Sequence, residues 1–300
     1  MTDPSYTWVT ACENCGSTRW KVYGVAADTR PAHPVQCRCT GCDLVFANPR
    51  LTPESLAAVY RNYYSRYAPD QSARSMIETY DAAARTLLAE IGRTKRQGDL
   101  LDVGCGTGAF MTRARDAGYE VSGVELSIEG VEQATGEHGL ERVVHGTLED
   151  ARFPAESFDI VVAWHLIEHV SGVGGFVDEV RRVLRPGGIA VIGTEAHRYP
   201  INAWLRTARF ATGRIPRPVT SDLHTYVFST GALRDCFERR GFETVHLRAY
   251  DEQTAAERAR LFGGGSLLRR VVARATVELG GAAARLTRTG PYLVGSFRRA

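Results

Sequence analysis

The stretch that most constrains this 300-residue chain is Asp99-Leu100-Leu101-Asp102-Val103-Gly104-Cys105-Gly106-Thr107-Gly108. An apolar run ends in glycines at three alternate positions, and apolar residues at helical spacing follow at once (Phe110, Met111, Ala114, Ala117). The pattern predicts a buried strand over 99–103, a tight loop and a helix over 107–117. Glycines serve where the backbone takes positive φ or where a ligand must approach without a Cβ in the way. The helix start then offers unpaired N–H groups to an anionic group. A second short strand over 120–124 ends in Glu125. An acid at that tip can accept hydrogen bonds from two ribose hydroxyls. A G-x-G-x-x-G dinucleotide loop would carry its third glycine at position 109, which here is Ala109.

From Asp99 to about Glu195, strand and helix patterns alternate. Further strands are expected near 142–145, 158–163 and 189–194, with helices over 127–138 and 174–184. Arg185-Pro186-Gly187-Gly188 reads as a break before the fifth strand. Two more strands are expected, over 242–247 and 291–297, the last closing an antiparallel edge. Such alternation predicts an α/β, Rossmann-like, doubly wound seven-stranded sheet with its ligand at the carboxyl ends of the strands.

Asp102-Val103-Gly104-Cys105-Gly106-Thr107-Gly108, with Glu125 beyond, resembles motif I of class I S-adenosylmethionine (SAM)-dependent methyltransferases. The resemblance implies that Asp102, Gly104, Cys105, Gly106, Gly108 and Glu125 bind the cofactor. It also implies that Thr147 and Leu148 face the adenine, where many relatives carry an Asp at the Thr147 position. Ala163 and Trp164 then lie at the methionine end, followed by His165-Leu166-Ile167-Glu168-His169. Read alone, H-x-x-E-H is also an inverted zinc-protease motif, but here it lies at the mouth of the expected SAM site. A similar His-x-Tyr-x-Phe-Ser run in the relatives matches His224-Thr225-Tyr226-Val227-Phe228-Ser229. His165, His169 and His224 are the candidate catalytic residues, because a neutral imidazole can accept a proton near pH 7. The bland reading is that they satisfy loop backbone. Glu168 with His169 could instead hold a divalent metal, as in some quinone-pathway methyltransferases.

Five of the seven cysteines fall between positions 12 and 42. Cys12-x-x-Cys15 and Cys39-x-x-Cys42 are two knuckles that can complete a closed tetrahedral Cys₄ shell around a structural zinc. Cys37 sits two residues before Cys39, a poorer knuckle spacing, and is left outside the shell. The expected division is a zinc ribbon over 1–50, a helical cap over 51–98, and the SAM-binding domain over 99–300 with insertions at 196–228 and 251–290. The ribbon, the Pro53-Glu54-Ser55-Leu56 helix start and Tyr63-Tyr64 resemble a group of bacterial small-molecule methyltransferases with an N-terminal zinc ribbon.

The first ten residues carry neither a basic start nor an apolar segment, so a cytoplasmic location is expected. The insertion carries seven arginines over 257–288 against Glu257 and Glu278, beside apolar residues at helical spacing. A basic amphipathic helix of that kind can lie on an anionic membrane or cover a lipid-like substrate. Its alternative is an ordinary surface helix. The expected function is methyl transfer from SAM to a small-molecule, sugar or lipid-like acceptor. Two alternatives are a ribosomal-RNA methyltransferase with a zinc module and a SAM-binding protein without transfer activity. Net charge is +3, and the ribbon has only Arg19, Lys21, Arg30 and Arg38 against Glu13 and Asp28, which argues against nucleic acid as the partner.

Overall fold

The structure is a computed structural model that describes residues 5–25, 35–61, 84–196, 224–250 and 292–300. The N-terminal segment forms five short strands: β1 (Tyr6–Thr7), β2 (Trp20–Val25), β3 (Val35–Cys39), β4 (Val45–Asn48) and β5 (Arg50–Leu51). Helix α1 (Pro53–Tyr60) starts where the sequence placed it, with Thr52 as cap and Pro53 in the first turn. A second helix, α2, spans 84–92 and buries Leu87 and Ile91.

The sheet that positions the site is built from β6 (Asp99–Val103), β7 (Glu120–Glu125), β8 (Val143–His145), β9 (Phe158–Trp164) and β10 (Leu184–Glu195). Between them run α3 (Ala109–Asp116), α4 (Ile128–Gly136) and α5 (Val173–Val183). After β11 (Tyr226–Val227) come α6 (Thr230–Glu238), β12 (Phe242–Tyr250) and β13 (Tyr292–Arg299). Ser127 and Ser229 cap α4 and α6 by accepting from Gly130 N and Ala232 N.

The seven strands lie in the order β12-β13-β10-β9-β6-β7-β8. Strands β6 to β10 pair in parallel. The near-continuous apolar runs in β6, β9 and β10 fit strands covered on both faces. Strand order reverses at β6, which lies between β7 and β9, so the cleft opens at the carboxyl ends of these strands. The last strand does run antiparallel, but it is not the edge. It enters between β10 and β12, and β12 becomes the edge. The expected break at Arg185–Gly188 is absorbed into β10 as an irregularity between Leu184 and Ile189, with Gly187 at φ 74°.

The ribbon strands form an antiparallel sheet β2-β3-β4 that continues into β11, through Val45–Val227 and Phe46–Tyr226 pairs. Phe228, just beyond, bridges to Ala196 at the end of β10. The ribbon therefore shares a sheet with a strip of the larger domain. One buried cluster contains Cys12, Leu44 and Phe46 together with Val161, Phe237 and Phe297. Most of the two expected insertions, including the arginine-rich stretch 257–288, lies outside the described residues. No helix among the described residues is long and apolar enough to cross a membrane.

Candidate active site

The loop after β6 has the conformation that its glycines require. Gly104, Gly106 and Gly108 all take positive φ, at 73°, 57° and 81°. A Cβ at Gly108 would stand 2.4 Å from Leu140 Cδ1, so at that position space and conformation both demand glycine. Gly104 N and Cys105 N donate to Val124 O at 2.8 and 3.1 Å, which pins the loop to the tip of β7. Glu125 completes the cradle. Its Oε2 accepts from Gly106 N at 2.8 Å and its Oε1 from Ser127 N at 2.7 Å. A carboxylate offers about four lone-pair positions, so this one can also accept from a ligand hydroxyl.

Asp102 lies beneath this loop, 4% exposed. Burial and the nearby Glu125 charge push its carboxyl up to about 8, and burial also raises Glu125 itself. A cation bound near buried Asp102 and half-buried Glu125 would favour both carboxylates.

After β8, Thr147 is committed locally. Its hydroxyl donates to Asp150 Oδ2 at 2.9 Å and accepts from Asp150 N at 3.1 Å, while Thr147 N donates to the same carboxylate oxygen. This reciprocal cap engages the Thr147 hydroxyl, and Leu148 is buried beside it. Cys105 is buried, and its thiol is pushed well up by burial and by both acids, so it packs as a small apolar side chain.

At the tip of β9, Ala163 is fully buried, and Trp164 lies so close to Gly193 that a Cβ there would meet its ring at 2.2 Å. His165 takes a left-handed φ of 51° and donates its N–H to Gly193 O at 2.9 Å. Its Nδ1 faces Glu168 Oε1 at 3.0 Å. The other Glu168 oxygen accepts from Thr194 Oγ1 at 2.8 Å. Burial alone would raise Glu168, but the hydrogen bond and charge of His165, with His169 and His224 nearby, take its carboxyl down to about 2. His165 is thus the residue that holds this buried carboxylate.

His169 and His224 come together from separate elements, their rings edge to face with centroids 4.7 Å apart. Tyr60 Oη, at the end of α1, lies 2.7 Å from His169 Nδ1. His224 is 9% exposed, and its buried Nδ1 makes no hydrogen bond. The nearest carboxylate, Glu195 Oε2, is 3.4 Å away. Burial, then the neighbouring His169, brings His224 down to about 4, so it is neutral at physiological pH. Glu195 is pushed up to about 7 by burial and the Glu168 charge. Ligand atoms of Glu168, His169 and His224 lie within 4.8 Å of one another. Sequence reading missed Tyr60 and Glu195 as members of this cluster, because neither stands in a motif; only the folded chain brings them here.

The four knuckle thiols also converge. Cys12, Cys15, Cys39 and Cys42 sulfurs lie within 4.8 Å of one another, with Cys12–Cys42 at 3.6 Å and Cys15–Cys39 at 3.5 Å. Zinc–sulfur bonds of ~2.3 Å in a tetrahedron put sulfurs roughly 3.8 Å apart, so the donor set fits zinc. Cys37 lies outside the four, buried in β3 with its thiol raised by burial.

A family model described as a methyltransferase domain matches residues 74–247, more than half of the chain. The chain belongs to this family. The demethylmenaquinone methyltransferase of Tropheryma whipplei (strain Twist) is 26% identical over 190 residues, covering 60% of this chain and 78% of that protein. A ubiquinone biosynthesis O-methyltransferase of Bradyrhizobium sp. is 36% identical over 99 residues, 32% of this chain and 39% of that one. Among solved structures, a SAM-dependent methyltransferase from Thermotoga maritima, described as a possible histamine N-methyltransferase, superposes with TM-score 0.52. It covers 79% of this chain and 98% of its own at 18% identity, a likeness of fold.

The protein is therefore a SAM-dependent methyltransferase, and its glycine cradle suits that cofactor. A loop with glycine at three positions, an acid that can accept from hydroxyls and a buried Asp102 match ribose hydroxyls and a cationic ligand. Glu125→Ala is expected to weaken SAM binding more than tenfold by calorimetry, since hydrogen bonds to a charged group contribute ~1.5–3 kcal/mol each. Unchanged affinity would remove Glu125 from the site. A proton linkage is expected as well. Without ligand, Asp102 is protonated below its value of about 8. A cation that favours the carboxylate lowers that value, so affinity rises with pH up to about 8 and levels off above. Calorimetry at pH 7 in phosphate and in Tris should show proton release with SAM and less with S-adenosylhomocysteine, which lacks the sulfonium charge. Equal release for both would break the link to Asp102.

Proposed function

We propose that this methyltransferase acts on a small organic acceptor whose oxygen, nitrogen or carbon loses a proton as it is methylated. The observation that carries this reading is the His169–His224 pair, set with Tyr60 and Glu195 at the carboxyl end of β9 and β10 beside the glycine cradle. The reaction is a direct displacement in which the main work is alignment of nucleophile and methyl. Bound SAM supplies an activated methyl group. On this reading Gly104, Gly106, Gly108 and Glu125 hold it, Leu148 borders the adenine, and Trp164 closes the methionine end. His165 keeps Glu168 in place rather than meeting the acceptor, and His169 or His224 takes the acceptor proton.

The quinone-pathway relatives support a phenolic or quinol-like acceptor within that class. Incubation with SAM and a panel of phenols, quinols, sugars and acyl carriers, followed by mass spectrometry, tests the reading. A gain of one methyl on a small acceptor is the expected result; methylation confined to ribosomal RNA would overturn it. A second reading is favoured by the closeness of Glu168, His169 and His224: a divalent cation held there would orient the acceptor oxygen. It predicts a metal equivalent beyond the ribbon's, lost in His224→Ala and removable by dialysis against EDTA.

A further inference from the structure

The segment His224–Ser229 is caught between two bodies. On one side, Thr225 N and Tyr226 N donate to Glu168 O at 2.8 and 3.0 Å, the carbonyl of the residue just before His169. On the other, β11 pairs with ribbon strand β4, and Ala47 N donates to Thr225 O at 2.9 Å. His224 begins this strip and carries its ring into the acceptor-side cluster.

The knuckles themselves reach the strip. Glu13, between the two cysteines of the first knuckle, forms an ion pair with Arg50 and accepts a hydrogen bond from Tyr226 Oη. Arg50 also donates to that phenol oxygen, and Val173 N, in the first turn of α5, donates to it at 3.3 Å. Tyr226 is fully buried, so its phenol has no water to replace a lost partner, although Glu13 itself is only half-buried. Asp43, next to Cys42 of the second knuckle, accepts from Ser229 Oγ at 2.8 Å. Asn14, also in the first knuckle, donates to Asp235 at 2.9 Å and accepts from Arg240 at 3.0 Å. Each knuckle thus grips the chain that runs from His224 into α6.

We propose that the ribbon is the back wall of the acceptor site, and that Glu13 and Arg50 are positioning residues that set His224 through Tyr226. Its catalytic meaning rests on the function proposed above, but its structural content does not. The knuckle geometry that a bound zinc would fix places Glu13. Glu13 and Arg50 fix the Tyr226 phenol, and the strip between β4 and the Glu168 carbonyl then presents His224 to His169. Loosening this chain should move the two imidazoles and leave the cradle around Gly106 and Glu125 untouched.

The test uses full-length protein purified with zinc, and two variants that keep all four knuckle cysteines. Glu13→Gln removes the charge that holds Arg50, and Tyr226→Phe removes only the phenol oxygen while keeping the ring. Imidazole ¹H–¹⁵N spectra, assigned through His→Gln variants, report the histidines directly, with half-buried His138, between α4 and β8, as reference. In both variants the expected result is one zinc per chain, SAM affinity within twofold of the parent, and displaced or broadened His224 and His169 signals beside an unmoved His138. Once an acceptor is available, kcat should fall with the KM for SAM unchanged. Unmoved His224 and His169 signals in zinc-loaded Tyr226→Phe would overturn the proposal, and that variant decides alone if Glu13→Gln does not fold. Failure of the parent protein to bind SAM would instead refute the cofactor assignment and leave the imidazole result intact.

Discussion

Replacing Cys12, Cys15, Cys39 or Cys42 with serine is expected to empty the ribbon of metal and to lower the melting temperature of the whole chain. Four thiols crowd within 4.8 Å, a separation at which four thiolate charges need a cation between them. Burial, followed by the neighbouring Cys39 and Cys42, pushes Cys15 up to about 11, and Cys42 is raised further, chiefly by its contact with Cys12. A divalent cation reverses that balance by accepting four thiolates, which is why affinity at such sites falls as pH falls. Apparent binding energies of structural zinc reach ~10–16 kcal/mol in small zinc modules, against a total stability of ~5–15 kcal/mol for a typical domain. The loss would not stay local. Cys12, Leu44 and Phe46 belong to the same buried cluster as Val161 and Phe237, and β4 carries β11 on its edge. Metal analysis should find one zinc in the parent and less than half an equivalent in each variant. Cys37→Ser should keep its zinc, because Cys37 lies outside the four; loss of metal there would mean a different ligand set.

The loop conformation of the proposed cofactor cradle was legible in the sequence because closely spaced residues set it. Gly104, Gly106 and Gly108 must be glycine for backbone reasons, and Glu125 follows a strand whose end the apolar pattern marks. The parallel pairing of β6 to β10 was legible as well, since alternation of β and α implies a parallel sheet. The edge was not. Nothing in 242–247 or 291–297 says which strand lies outside, and the hydrogen-bond partner of β10 is chosen by a contact about a hundred residues away. The acceptor side was only half visible. His169 and His224 stand in recognisable runs, but their pairing, the Tyr60 contact and the raised Glu195 arise from three-dimensional closure. Thr147 shows the converse: its hydroxyl, free to face adenine as far as the sequence shows, closes a local turn with Asp150. The convergence of four thiols was readable from two knuckles, yet the contacts of Glu13 with Tyr226 and of Asp43 with Ser229 were not. As isolated letters these are surface charges.

The acceptor-side histidines should separate by role when each is removed. A general base contributes roughly 10²–10⁴-fold to the rate, whereas a residue that only shapes the pocket acts mainly on KM. His169→Ala or His224→Ala is therefore expected to lower kcat at least a hundredfold while SAM affinity stays within about twofold of the parent. The geometry ranks the two. For His169 to accept a proton at Nε2, its Nδ1 must carry hydrogen and donate to Tyr60 Oη, 2.7 Å away. Tyr60→Phe removes that acceptor and releases the tautomer, so it should reduce kcat by less than loss of the ring does, with little effect on SAM. His224 needs no such partner, since burial keeps it neutral and its Nδ1 makes no hydrogen bond. If His224→Ala is the more damaging change and EDTA reproduces it in the parent, a cation at Glu168, His169 and His224 is doing the aligning. If both variants keep kcat within a few-fold of the parent, neither ring takes the proton. Glu195, pushed up to about 7 and 3.4 Å from His224, is then the next base to test among the described residues.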